Sequence, residues 1–368
     1  MALNQDQYQI SEARHQEIFE NSIKPDIFSD VKPSDQPVAV IFGGQPGSGK
    51  SATVKVAVRE LAPRGGVVLV DADDLRSYHP DHDFLMASDD KTAAFYTQRD
   101  AGRWVEKAIA EAKVQRVNLI IDGTMRDGNG VASTMGNLLA AGYEIDARVL
   151  AVNSRLSEQG ILLRYEGQKS DRGAGRMTPR EVHQAAYDGM LVTLERIERD
   201  KLADRLTIYR RGAEVLYSNE LQAGQWTREP QARAVVEAER NRAMTMQERR
   251  NYAKGFDKLA EQLARPERQA SAEEIREIDG LRRQARAELA AEVFRQKSPE
   301  KAVQQHPELA PAYGYMRARE AKAEADGLNE RQRSIVMARV RDNVAERIER
   351  GDVPSVQSKV EQQRDLER

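Results

Sequence analysis

Val38-Ala39-Val40-Ile41-Phe42-Gly43-Gly44-Gln45-Pro46-Gly47-Ser48-Gly49-Lys50-Ser51 is the stretch whose reading decides the fold. Its apolar, β-branched start reads as a strand buried on both faces. Gly44 to Ser51 fits G-x-x-x-x-G-K-[ST], and residues 51–61 then follow a helical pattern. Glycines let such a turn curl with its N–H groups pointing inward at a phosphate. The lysine reaches the β and γ oxygens of a triphosphate, and the final hydroxyl suits Mg2+. A tight glycine turn without a ligand could carry the same letters, but the strand before and the helix after it favour phosphate binding. Gly44, Gln45, Pro46, Gly47, Ser48, Gly49, Lys50, Ser51 and Ala52 are therefore expected to bind ATP or GTP, with Mg2+ at Ser51.

The 368 residues are 40% hydrophobic and 32% charged, with a formal net charge of −2. That balance argues against bulk electrostatic binding of nucleic acid. No apolar run approaches membrane-spanning length. Residues 1–6 lack the basic and apolar regions of a secretory signal, so synthesis in the cytoplasm is expected, with transfer by a leaderless route left open. The chain has no cysteine, which excludes disulfides, thiolate zinc sites and cysteine nucleophiles. His79 and His82 flank Pro80 with no third ligand in view, so no metal cluster is expected there.

Outward from the loop, short β-rich runs alternate with amphipathic stretches. The expected strands are 38–43, 67–71, 117–122, 145–152 and 206–209, with an edge strand at 215–217; the expected helices are 50–61, 92–114, 130–141, 155–165 and 179–200. This alternation reads as α/β: a P-loop NTPase or kinase core whose parallel sheet is flanked by helices on both faces. Ligands of such sheets bind beyond the carboxyl ends of the strands. After about Gly224 strand-like runs stop, and Ala, Glu, Arg and Gln dominate helical stretches near 231–263, 272–296 and 315–350. Ile275, Ile278, Leu281, Ala285, Leu289 and Val293 mark one apolar stripe. The expected organisation is an N-terminal helical segment packing on the core (1–36), the α/β domain (37–222), a helical accessory domain (225–352) and a disordered tail (353–368).

Phosphoryl transfer needs a phosphate loop, a metal, a group that handles the acceptor proton, and cations on the moving phosphoryl. The run 67–70 ends in Asp71-Ala72-Asp73-Asp74-Leu75-Arg76. Asp73 is a candidate to deprotonate or bind an acceptor hydroxyl; the alternative is a helix cap, which Asp71 could equally supply, with Asp74 solvated in the first turn. The run 117–121 ends in Asp122-Gly123-Thr124-Met125-Arg126, offering Asp122 as a second metal-site group and Thr124 and Arg126 as an acceptor wall. Arg164 precedes a glycine-rich segment, 167–175, that reads as a mobile lid delivering Arg176 to the γ-phosphate. Either arginine alone could equally form a surface ion pair.

Together these residues resemble the zeta toxin family of P-loop kinases. The matching stretches are 43–51, Asp71-Ala72-Asp73 through His79-Pro80, and Asp122-Gly123-Thr124-Met125-Arg126. Arg164-Tyr165-Glu166, Arg176-Met177-Thr178-Pro179 and Leu216-Tyr217-Ser218-Asn219 continue them in order, so the resemblance covers about residues 10–220. It implies a kinase that phosphorylates a hydroxyl of the amino sugar in UDP-N-acetylglucosamine, draining a cell-wall precursor. The match assigns Lys50 and Ser51 to triphosphate and Mg2+, Asp73 to the acceptor proton, and Asp122 to metal or sugar nucleotide. Thr124 and Arg126 fall on the sugar nucleotide, Arg76 beside them, and Arg164 and Arg176 on the transition state. Two positions depart from the family. Asp122 stands where members commonly have Glu, shortening the reach by about an ångström. Gly102 falls where the family has a sugar-contacting acid, and Asp100 is the candidate substitute.

The C-terminal half lies outside that resemblance and loosely resembles accessory helices in proteins of conjugative elements. It could inhibit in cis, in place of a separate antitoxin acting in trans; it could bind a delivery partner; or it could serve oligomerisation or stability. Rival readings are a P-loop switch, though no guanine-reading N-K-x-D occurs, a kinase for another small molecule or nucleotide, and a scaffold whose helices bind a partner.

Overall fold

Every residue of β1 (Val38–Gly43) is buried, and its successive side chains enter two different cores. Val38, Val40 and Phe42 pack with Val54, Ala57, Leu61 and Ile120. Ala39 and Ile41 face the larger core, which contains Trp104, Met135 and Leu138. A strand with a period of two and both faces covered must lie in the middle of the sheet. The computed structural model describes residues 4–356. It divides by internal contacts into residues 1–242 and 243–368.

The first unit starts with α1 (Glu12–Ile18), which passes through a π-helical turn, Phe19–Ile23, into α2 (Lys24–Phe28). Ile18, Phe19 and Ile23 enter the larger core, and His15 stacks on Trp104 with ring centroids 4.7 Å apart. After β1 come α3 (Lys50–Leu61), β2 (Val68–Asp71), α4 (Ala72–Leu75), α5 (His82–Ser88), α6 (Ala93–Gln115) and β3 (Leu119–Asp122). Then follow α7 (Gly128–Ala140), β4 (Glu144–Ala151), α8 (Ser154–Arg172), α9 (Arg180–Asp200) and β5 (Arg205–Arg210). The unit closes with β6 (Val215–Gln222), β7 (Gln225–Trp226) and α10 (Ala232–Asn241). The sheet order is β2-β3-β1-β4-β5-β6-β7. It is parallel from β2 to β5, and β6 and β7 add antiparallel.

The second unit consists of α11 (Met246–Leu263), α12 (Ala272–Gln296), α13 (Pro299–Gln305), α14 (Ala310–Ala325) and α15 (Glu330–Glu349). Within it α12 packs on α11 and α15, and α14 packs on α15. Phe256, Leu259, Phe294, Val344 and Ile348 are buried. Reciprocal capping boxes start three of its helices: Thr245 with Glu248, Ser271 with Glu274, and Asn329 with Gln332.

The α/β core and its helical extension are as the sequence leads one to expect; several details differ. The stretch 231–263 is two helices, because the Thr245 box begins a new one. The stretch 315–350 is also two, divided where Gly327 adopts a φ of 78° just ahead of the Asn329 cap. Ile275 and Leu281 of the expected stripe are 40% and 37% exposed, whereas Ile278, Ala285, Leu289 and Val293 are buried. The division of the chain falls at 242/243, not near 224. Ala232 and Val236 belong to the core of the first unit, and Trp226 Nε1 donates to Glu198 O at 2.7 Å. The expected tail lies outside the described residues from 357 onward.

Val236 tests where the first unit ends. Val236→Asp places a charge in a fully buried site and is expected to cost roughly 3–4 kcal/mol. Ile335→Asp, at a position 51% exposed, should stay within about 0.5 kcal/mol. Urea unfolding of both variants checks this.

Candidate active site

Strand register sets the site. Asp71 pairs with Asp122 across β2 and β3, and Phe42 pairs with Asp122 across β1 and β3. Two carboxylates and the start of the glycine loop therefore stand side by side at one sheet edge. Burial, with Asp122 and then Asp74 nearby, pushes the Asp71 carboxyl up to about 7. Burial likewise raises Asp122, against the pull of Lys50. Asp71 also caps α4, its Oδ1 accepting from Asp73 N at 2.8 Å.

The loop 44–49 leaves β1 and enters α3 through Gly49, whose φ is 92°. Its Gly47 touches α8 backbone to backbone: a Cβ there would fall 2.0 Å from Ser157 O. Reciprocally, a Cβ on Gly160 would fall 2.3 Å from Gly47 O. Lys50 Nζ donates to Gly44 O at 2.7 Å and lies 3.8 Å from Asp122 Oδ1. Its desolvation lowers the ammonium's pKa, opposed by Asp122 and Asp71. Pro46 is half-buried, Ser51 and Ala52 are exposed in the first turn of α3, and the Ser48 side chain is buried. Gln45 is fully buried, and its amide donates to Val152 O at 2.7 Å and Ser157 Oγ at 3.1 Å. Its side chain is thus a brace for the loop and offers nothing to a nucleotide; only its backbone could do so.

Arginines face the carboxylates. Asp73 pairs with Arg176 and with Arg76 Nε at 3.2 Å. Arg76 also donates to Ala94 O at 2.6 Å, and burial lowers its pKa to about 10. Arg164 donates to Thr178 Oγ1 at 2.8 Å, and its Nε is buried without a partner. Burial lowers both Arg164 and Arg176, with Asp71 opposing it in each case. Desolvated cations gathered this way gain most from a polyanion whose charge moves during reaction.

Thr124 is half-buried and Arg126 exposed, on a loop anchored from α9. Met125 there has a φ of 53°, and its carbonyl accepts from Thr193 Oγ1 at 2.7 Å. Two expectations are corrected. Asp100 is 1% exposed, with Oδ2 3.5 Å from the buried His79 and Oδ1 3.7 Å from Arg103, so it presents no carboxylate to an acceptor. The glycine-rich segment is no free lid: α8 continues to Arg172, and Arg176 N donates to Gln168 Oε1 at 2.8 Å.

A profile described as zeta toxin matches residues 24–222. The chain belongs to the zeta toxin family. Toxin PezT of Streptococcus pneumoniae is 31% identical over 189 residues, covering 51% of this chain and 74% of that protein. Toxin zeta of Enterococcus hirae is 30% identical over 206 residues, covering 55% and 71%. A solved structure from the PezAT chromosomal toxin-antitoxin system of S. pneumoniae shares the fold, with a TM-score of 0.60 and 23% identity over 70% of this chain and all of that one.

Two residues bear on the loop of this zeta toxin relative without any signal in the sequence reading. Arg211, in the turn between β5 and β6, donates to Ser48 O at 3.2 Å and to Gly47 O. Arg240 of α10 lies beyond the family match, yet it is buried, donates to Tyr187 O at 2.7 Å and to Gln45 Oε1 at 3.3 Å, and stacks 3.7 Å over the Tyr187 ring. An arginine in a hairpin turn or on an amphipathic helix is ordinary; only folding shows that both end at the loop.

Gly160 and Gly167 on α8 separate close approach from helix propensity. Gly160→Ala should destabilise the protein, because its Cβ would collide with Gly47 O. Gly167 has nothing within 4 Å, so Gly167→Ala should stabilise by about 0.5–1 kcal/mol. Thermal unfolding of the two variants side by side reads the difference.

Proposed function

We propose that this zeta toxin family member is a kinase that transfers the γ-phosphoryl of ATP or GTP to a hydroxyl of UDP-N-acetylglucosamine or a related nucleotide sugar, blocking cell-wall synthesis. The observation that carries the reading is the convergence of Lys50, Arg76, Arg164 and Arg176 on Asp71, Asp73 and Asp122 beside the glycine loop. Relatives named as toxins, and a similar fold from a toxin-antitoxin system, support a toxin held in check by an antitoxin in trans; residues 243–368 are the candidate for restraint in cis or for delivery.

The donors fit Mg2+. Ser51 supplies a hydroxyl in the first turn of α3, and Asp122 a carboxylate near Lys50. Among the described residues no group of three or more His, Cys, Asp or Glu could hold a metal. Mg2+ suits such a sparse set, since it keeps waters and binds through one or two protein groups and substrate phosphates. When bound it would neutralise charge on the phosphate oxygens.

The chain's own residues do the rest. Lys50 and the backbone N–H groups of the loop hold the triphosphate in line, apart from Pro46, which has none, and Ser48, whose N–H donates to Gln45 O. The acceptor oxygen forms a bond to the γ-phosphorus as the bond to the bridging oxygen breaks; its proton passes to Asp73, and the nucleoside diphosphate leaves with the bridging oxygen's electrons. Arg76 orients Asp73, Arg126 faces the acceptor, and Arg164 and Arg176 take up the charge that spreads over the phosphoryl oxygens. One observation favours a second reading of the base: the Asp71 carboxyl, near 7, lies close to where a general base works best.

The test is turnover of ATP with and without UDP-N-acetylglucosamine, with the product mass read directly. A gain of one phosphate on the sugar nucleotide, lost in Lys50→Ala, is expected. Asp73→Ala should lower acceptor-dependent turnover about 10²–10⁴-fold. Retention of the rate there, with loss in Asp71→Asn, would move the base to Asp71. Arg176→Ala should lower kcat about 10²–10³-fold while the KM for ATP changes little. Nucleotide hydrolysis indifferent to every acceptor would replace the kinase with a switch.

A further inference from the structure

Asp90 stands in the turn between α5 and α6, is 7% exposed, and has no part in the mechanism above. Three donors converge on it. Tyr165 OH donates to Oδ1 at 2.9 Å, Gly175 N–H to Oδ2 at 3.0 Å, and Lys169 Nζ lies 3.0 Å from Oδ2. Lys169 Nζ also donates to the Tyr165 hydroxyl at 2.8 Å, so ammonium, phenol and carboxylate form a closed set. Burying a carboxylate requires such compensation, and these three donors all come from α8 and the segment after it.

The identity of those groups matters. Tyr165 follows Arg164 on α8, and Gly175 immediately precedes Arg176. Gly175 lies so close to α8 that a Cβ would stand 2.3 Å from Tyr165 O. On its other side, Arg176 N–H donates to Gln168 Oε1. The backbone that delivers Arg176 to Asp73 is therefore held at two consecutive amides, that of Arg176 by Gln168 of α8 and that of Gly175 by Asp90, which α8 in turn grips through Tyr165 and Lys169.

We propose that Asp90 is a positioning residue: its carboxylate pins the Gly175–Arg176 backbone to α8, so that the Arg176 guanidinium is already in place for the transferred phosphoryl. The inference rests on the reading of Arg176 as a transition-state cation. Its chemistry explains why a carboxylate is used. Asp accepts all three donors and donates nothing. Asn would offer one acceptor oxygen and turn an N–H2 toward a donor, leaving one of the buried donors unpaired. A misplacement of about an ångström at a reacting centre can cost on the order of a hundredfold in rate.

The test uses full-length protein. Asp90→Asn, and Tyr165→Phe as the milder change, are expected to lower kcat tenfold or more with the KM for ATP within about twofold. Both should speed hydrogen exchange across residues 173–178. In an Arg176→Ala background neither should lower kcat further, since the group they position is gone. An equal loss in both backgrounds, or unchanged exchange at 173–178, would overturn the proposal and leave Asp90 a structural ion pair. If Arg176→Ala itself keeps the wild-type kcat, the reading of Arg176 fails instead, and the exchange rate alone then upholds or overturns the pinning.

Discussion

The crowding of like charges at the carboxyl edge of β1, β2 and β3 governs the rest of this molecule. Parallel register puts Asp71 next to Asp122, and the glycine loop next to both. Burial then works against ionisation of each carboxyl and against each cation that faces them. Such an arrangement persists only because the opposite charges interleave: Lys50 by Asp122, Arg76 and Arg176 on Asp73. A polyanion that enters this edge exchanges one set of partners for another without first having to gather them, and that is what electrostatic preorganisation means in structural terms.

Keeping the edge in shape falls to elements that never touch the reacting atoms. The loop is fixed by the close approach of Gly47 and Gly160, by Gln45 turned inward, and by Arg211 on its carbonyls. Gln45 leads through Ser157 to His183, and through Arg240 to Tyr187, so the loop, α8, α9 and α10 share one buried polar network. This is why the first unit runs past the family match at 222 to Arg242. A helix with the composition of the C-terminal half belongs, by its contacts, to the α/β unit.

Much of the fold was legible because strand burial and glycine chemistry are local properties. The apolar run 38–42, the loop at 44–51, and Asp71 and Asp122 closing their apolar runs announce an α/β sheet with its glycine loop and acids at one rim. Less legible was anything decided by what lies across a gap. Asp100 has the letter of an acceptor ligand, yet its carboxylate is buried near His79 and Arg103. The segment after Gly167 has the glycines of a lid, yet the helix runs through to Arg172 and ends only where Gly173 takes a φ of 80°. Leu281 fits a stripe by spacing and faces outward because the buried face of α12 is set by α11 and α15.

The sequence by itself determined the class of fold, the glycine loop with its lysine and hydroxyl, and the acids that close β2 and β3, since each follows from residue type and spacing along one strand, turn or helix. Only the tertiary structure decided which charges meet. The pairing of Asp71 with Asp122, the contact of Arg176 with Asp73, the hold of Arg240 on Gln45 and of Asp90 on Gly175 join residues from 51 to 195 positions apart. No local pattern encodes such pairs. They arise when strands take their register and helices pack over them, and desolvation then makes each pair strong or costly.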